Sequence, residues 1–227
     1  MDFNNRVAAV VELFGQQFWI TESLINTWFI GGALILLAII VNVKSKKFTD
    51  VPTSKFQNIF EALVEMFYNF TVDTMGPQYT SYGFWFFGVI AFIMFSNLAG
   101  LVGIRPPTAD IAVTLTLSLS TCFLIHYSGI TKSKSQYWKD YVSPMPFFLP
   151  LNLIGEIATP VSLAFRLFGN ILSGTIIMAL IYSMLPKVLT YGPPAVLHLY
   201  FDVFAGLLQS YIFVILSMSF IRQKLPD

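Results

Sequence analysis

The chain has 227 residues, 56% hydrophobic, 16% aromatic and only 11% charged, against about 25% charged in an ordinary soluble domain. That composition excludes a soluble domain and points to an integral membrane protein. A formal net charge of +1, with no basic stripe interleaved with exposed aromatics, gives no reason to expect a nucleic-acid partner.

The first residues carry Asp2, Arg6, Glu12 and Glu22 and lack the basic start, short apolar core and small-residue cleavage site of a removable signal peptide. Residues 1–23 are expected to form an outside segment. A spanning helix needs about 20 apolar residues, and residues 24–43 supply the first. In QNIFEALVEMFYNFTVDTM, Phe60, Leu63, Val64, Phe67 and Phe70 recur at helical spacing, with Glu61 and Glu65 on another face. This predicts an amphipathic helix over 56–75, lying at the inner surface or packed on the rest of the chain. Residues 82–104 and 111–130 read as a second and third span forming a hairpin. Cys122 is the only cysteine, which rules out an intrachain disulfide and a cysteine metal cluster.

After Pro144 come two longer apolar stretches, 153–185 and 193–221, parted by Pro186, Pro193 and Pro194. At 1.5 Å per residue, a helix from Glu156 to Leu185 exceeds the roughly 30 Å hydrocarbon core. The two stretches are expected to pack as a strongly tilted or near-horizontal hairpin. The predicted class is therefore all-α: about five membrane helices plus one interfacial helix, in a single membrane domain.

Arg166 interrupts the first of these stretches. A charge at the bilayer centre costs from about 2.5 to over 10 kcal/mol, and arginine does not escape by losing its proton. A partner charge or a water-filled cavity must face it. Thr159, Ser162, Arg166, Gly169, Asn170 and Ser173 recur at offsets of three and four and share a face. The small residues alone would suit a helix-packing stripe, which leaves Arg166 unexplained. The last helix repeats the pattern with His198, Asp202, Ala205, Gly206 and Gln209. Asp202 lies toward the outer end, where a carboxylate can take a proton from an aqueous pocket. Gln209 can donate and accept at once and could orient Arg166 across the hairpin. His198 reads first as a satisfied interfacial histidine and second as a relay member. Glu156, near the inner end, mirrors Asp202, either in an ion path or as N-terminal stabilisation by the helix dipole.

Lys44, Lys46, Lys47 and Lys55 follow the first span, Lys132, Lys134 and Lys139 the third, and Arg222 and Lys224 lie near the end. Cytoplasmic loops hold the lysine and arginine excess, so the N-terminus is expected outside and the C-terminus inside. The opposite side keeps Arg6, Arg105 and Lys187.

Two acids near opposite faces with a permanent cation between them do not make a pore, because a fixed positive charge at mid-depth repels cations. Ions need a moving carrier with its own carboxylate to pass Arg166. Here SLAFRLFGNILSG resembles the signature of the subunit a family of F-type ATP synthases. VPTSKFQNIFEALVE, SNLAGLVG, PPTADIAVTLTLSLS, HYSGI and DVFAGLLQSYIFVIL resemble other segments of that family, from about Val51 to Ile221.

The resemblance implies a stationary membrane subunit beside a rotating ring of c subunits, with peripheral-stalk b subunits as further partners. Two half-channels would load and unload H+ or Na+. It implies that Arg166 faces the ring carboxylates, with Gln209 and Asn170 nearby. Ser173, His198, Asp202 and Glu156 complete the candidate ion path. Thr175 departs from the acid common in relatives and leaves Asp202 as the outside acid. No GxxxxGK[ST] loop appears, so an enzyme activity, a cofactor and a bound metal are not expected; ATP chemistry would belong to other subunits. An intramembrane Arg/Asp site would also suit a secondary transporter or channel, but no paired repeat is visible. The form of the RLFGN segment favours a bacterial plasma membrane.

Overall fold

The computed structural model describes residues 7–13, 16–46, 48, 54–143, 145–184 and 193–226. Strands β1 (Val7–Leu13) and β2 (Gln16–Thr21) pair antiparallel, with Val10 opposite Trp19. This hairpin is absent from the sequence reading, because VAAVVEL lacks the clean period-two alternation that marks a strand. Leu185 and Lys187 lie outside the described residues, as does Arg6.

Helix α1 (Glu22–Ser45) starts at Thr21, whose hydroxyl accepts from Leu24 N at 3.4 Å. Most of its apolar side chains stay exposed, including Ile35, Leu36 and Ile39, as a lipid-facing helix requires. Asn26 Nδ2 ties it to the rest of the chain by donating to the Arg105 carbonyl at 3.0 Å.

Helix α2 (Lys55–Met75) is capped by Ser54 and stopped by Gly76 at φ +94, a conformation that suits glycine. Its apolar packing lies in the C-terminal half, where Phe67, Thr71 and Met75 are buried, with Gln57 buried near its start, whereas Leu63 and Val64 of the expected apolar face remain about 40% exposed. Helices α3 (Gly83–Leu98) and α4 (Ile111–Ser128) follow. Asp110 caps α4, accepting from Ala112 N at 2.9 Å.

One face of α4 carries fully buried Thr114, Ser118, Thr121 and Ser128. Their hydroxyls bond back to carbonyls of their own helix, as Ser128 does to Leu124 at 2.6 Å. Small, internally satisfied side chains let a neighbouring backbone come close, and α4 packs against both α6 (Leu149–Met184) and the last helix. Between α4 and α6, a π turn over Gly129–Ser133 leads into the short α5 (Ser135–Val142), which the sequence reading did not resolve.

Helix α6 has 36 residues, or roughly 54 Å at 1.5 Å each. It fits the hydrocarbon layer only at a steep tilt. After residues 185–192, α7 (Pro193–His198) passes through a π segment (Leu199–Ala205) into α8 (Gly206–Lys224). Phe86, Ile93, Leu167, Phe213, Met218 and Ile221 form the buried core between α3, α6 and α8, joined by Met75 of α2. Five helical stretches among the described residues are long and apolar enough to cross a membrane. The molecule is an α-helical, multi-pass membrane protein with one small β-hairpin.

Candidate functional site

Helix α6 buries Leu163, Ala164, Leu167 and Ile171 against its neighbours. The other side of the same turns presents Ser162, Phe165 and Arg166 outward, all exposed. Among the described residues no carboxylate pairs with Arg166 and no hydrogen bond holds its guanidinium. The described residues therefore do not supply the partner that the sequence demands. Lipid against that cation would cost at least about 2.5 kcal/mol, which asks for a polar or acidic surface against it.

Cavities approach Arg166 from both directions along α6. On the Glu156 side, a cavity of about 340 Å³ is lined by Tyr141, Asn152, Gly155, Glu156, Thr159 and Lys224. A second, of about 230 Å³, shares Gly155, Thr159 and Phe220 with it and continues past Ser162 to Arg166.

Glu156 sits two turns inside α6, which begins at Leu149, so the helix-dipole reading does not apply to it. Its carboxylate accepts from Lys224 Nζ in the last turn of α8. His126 Nε2 stands 4.0 Å from the other carboxylate oxygen. His126 Nδ1 is 2.8 Å from the Tyr137 hydroxyl, which is 2.8 Å from that of Tyr141. Burial, with the Tyr137 hydrogen bond and the Glu156 charge behind it, pushes the Tyr141 hydroxyl above its usual range. Tyr141 thus remains a donor wherever the protein works.

On the Asp202 side, a cavity of about 440 Å³ is lined by Arg105, Asn170, Gly174, Thr175, His198 and Asp202. His198 Nδ1 lies 2.6 Å from Asp202 Oδ2, and the Tyr182 hydroxyl 3.0 Å from His198 Nε2. An imidazole bonded on both nitrogens can pass a proton between its two neighbours. Thr175 turns its hydroxyl back to the Ile171 carbonyl at 2.8 Å, and Asp202 is the acid of this cavity. Asn170, one turn from Arg166, lines the cavity, and its Nδ2 is buried without an acceptor among the described residues. Ser173 is exposed and bonds the Asn170 carbonyl at 3.0 Å.

Gln209 is buried on α8, and its Nε2 has no partner among the described residues. No hydrogen bond joins it to Arg166. The structure thus brings Glu156 together with Lys224, and Asp202 together with His198, while Arg166 stands alone between the two groups. Lys224, His126, Tyr137, Tyr141 and Tyr182 were not singled out from the sequence. Lys224 counted there only as an inner-side charge, and the tyrosines lie far from Glu156 and Asp202 along the chain.

The family model described as "ATP synthase A chain" matches residues 24–222. The chain is 32% identical to "ATP synthase subunit a, sodium ion specific" of Propionigenium modestum, covering 92% of this chain and 76% of that protein. It is 34% identical to an ATP synthase subunit a of Streptococcus agalactiae, over 84% and 86% of the two chains. It is 35% identical to one of Legionella pneumophila, over 89% and 85%.

Proposed function

Because the chain belongs to the ATP synthase A chain family, and so is an ion-translocating stator subunit of an F-type ATP synthase, we propose that Arg166 is its contact with the moving ion carrier. The carrier is the ring of c subunits, whose ion-binding carboxylates supply the covering surface that Arg166 lacks. The observation that carries this reading is an exposed arginine inside a membrane span, unpaired among the described residues, with one cavity reaching it past Ser162 and another, holding Asp202 and Asn170, ending one turn away along α6.

The cavity at Asp202 and His198, with Tyr182 bonded to His198 behind it, is the outer half-channel, and Asn170 hands the cation between it and the ring. The cavities from Ser162 and Thr159 to Glu156 and Lys224 form the inner one. Gln209 lies behind this interface. An opposite charge within about 4–6 Å favours an ionised carboxyl, so each ring site arriving at Arg166 gives up its H+ or Na+ to one half-channel. A bare carboxylate is costly in lipid; the site therefore reloads from the other half-channel before it leaves. The membrane potential contributes about 2.3 kcal/mol per charge per 100 mV and biases the direction. The lysine distribution orients the N-terminus outside and the C-terminus in the cytoplasm of a bacterial cell. This subunit, anchored by peripheral-stalk b subunits, moves ions without catalysing a reaction of its own.

Ser162 is exposed on the Arg166 face and reports on the neighbour directly. In a Cys122→Ser background, Ser162→Cys should form a disulfide with a cysteine placed next to the ring carboxylate. An assembled complex that gives no cross-link at any ring position would refute the assignment.

A further inference from the structure

The inner cavity holds a cation of the chain's own. Lys224 ends α8, and its Nζ donates to Glu156 Oε1. Both residues line the cavity of about 340 Å³, which shares Gly155, Thr159 and Phe220 with the smaller one reaching Arg166. His126 Nε2 stands back at 4.0 Å from Oε2, so Lys224 is the cation in contact with the carboxylate. Arg222, in the same last turn, is turned elsewhere: its guanidinium lies over the Tyr79 ring at 5.8 Å and donates to the Pro226 carbonyl at 3.1 Å. On the half-channel reading, an ion moving between Arg166 and the inner side passes Glu156, and there it meets an ammonium already seated.

The backbone beneath that ammonium is held on several sides. The Lys224 carbonyl accepts from the Ser133 hydroxyl. Gly129 packs so near that a Cβ there would lie 3.4 Å from the Lys224 Cβ, and the Tyr79 hydroxyl fastens the Pro226 carbonyl at 2.9 Å. What can move is the flexible four-carbon stem of the lysine. It has a second seat within reach. Nζ already stands 5.0 Å from the centre of the Tyr141 ring and 5.8 Å from that of Tyr137, and an aromatic face attracts an ammonium within about 6 Å. A small swing exchanges the carboxylate for two aromatic faces.

We propose that Lys224 is a tethered gate on the inner half-channel: seated on Glu156 it occupies the place of a passing cation, and swung onto Tyr141 and Tyr137 it lets the cation through. The gate rests on the inner half-channel reading given above and adds a moving part to it. To pass, an ion must displace one charge-assisted hydrogen bond. Lys224 stays charged throughout the swing, so passage takes no proton from it. Electrostatics also fixes what is refused: an entering cation meets a cation, whereas a neutral molecule does not.

The test uses vesicles that expose the inner side of the complete ATP synthase complex, in a Cys122→Ser background. Thr159→Cys reports from beyond the gate, and Leu151→Cys, on the same cavity but before Glu156 along α6, reports from in front of it. Each is reacted with aminoethyl methanethiosulfonate, an ammonium, or with the neutral methyl reagent, and labelling of this subunit is read by mass. Lys224→Gln should raise the ammonium-to-neutral rate ratio at Thr159→Cys by about tenfold and change it far less at Leu151→Cys. Lys224→Arg should stay near the parent. Tyr141→Leu removes the second seat and should lower the ratio at Thr159→Cys by about threefold, whereas Tyr141→Phe keeps the ring and should not. That arm leaves Lys224 and Glu156 in place, so it decides the matter even where Lys224→Gln fails to assemble. A ratio unmoved by Lys224→Gln, one unmoved or raised by Tyr141→Leu, or an equal shift at both reporters would each overturn the gate. Labelling of Thr159→Cys by neither reagent would instead overturn the half-channel reading beneath it.

Discussion

Asn97 offers a quantitative test of how the outer half-channel is held. It is 1% exposed at the end of α3. It donates Nδ2 to the Gly206 carbonyl at 2.9 Å and accepts at Oδ1 from the Thr108 hydroxyl at 2.8 Å. Gly206 follows the π segment that carries Asp202 and closes on Asn97 so tightly that a Cβ there would lie 3.0 Å from the Asn97 Cβ. In Asn97→Ala the Gly206 carbonyl keeps Ser210 as a donor at 2.8 Å, but the buried Thr108 hydroxyl loses its acceptor. One hydrogen bond lost and one buried hydroxyl orphaned together cost about 2–4 kcal/mol. If the loss is local, amide exchange across residues 199–210 should accelerate by about 30- to 1,000-fold, with α1 unchanged. Hydrogen–deuterium exchange of the assembled complex reads this directly, and Thr108→Ser, which keeps the donor, should remain near the parent. Unchanged exchange in that segment, or equal acceleration everywhere, would refute the clamp.

Arg166→Lys should lose ATP-coupled transport despite the formal charge, because lysine can shed its proton and has no planar fork; retained coupling in a proton-flux assay would count against the mechanism. Asp202→Asn removes the acid of the outer cavity and should slow ion loading severalfold while the complex still assembles, and normal pumping would take Asp202 out of the path. Gly129→Ala would put a Cβ 2.6 Å from the Tyr137 ring and push that ring away from His126, at about 1–3 kcal/mol. Thermal stability of the complex should fall and then recover in Gly129→Ala with Tyr137→Leu; a neutral single variant would show that the contact carries no load.

The spans are legible because uninterrupted apolar runs leave the chain few alternatives in lipid, and Arg166 stands out because a charge in such a run demands a reason. What it lacks is also instructive: periodicity put it on a polar face, but only the packing of Leu163, Leu167 and Ile171 shows that this face turns outward. Glu156 was visible as an acid, whereas its counter-charge lies 68 residues away at Lys224, a pairing that exists only once α6 and α8 have packed. Helix α5 is too short, with 8 residues, for a period to show, and its tyrosines acquire meaning from His126 and Glu156. The π segment around Asp202 leaves no mark in the sequence, because the offset of four between His198 and Asp202 fits an ordinary α-helix equally well.

The account rests on Arg166 as the charge that separates the two half-channels and meets the carrier. ATP-driven ion pumping in inverted membrane vesicles carrying Arg166→Ala, after assembly of the complex has been verified, tests this most directly. Pumping should be abolished in a complex that remains intact. Undiminished pumping would mean that the exposed cation is structural and that ions pass this subunit by another route.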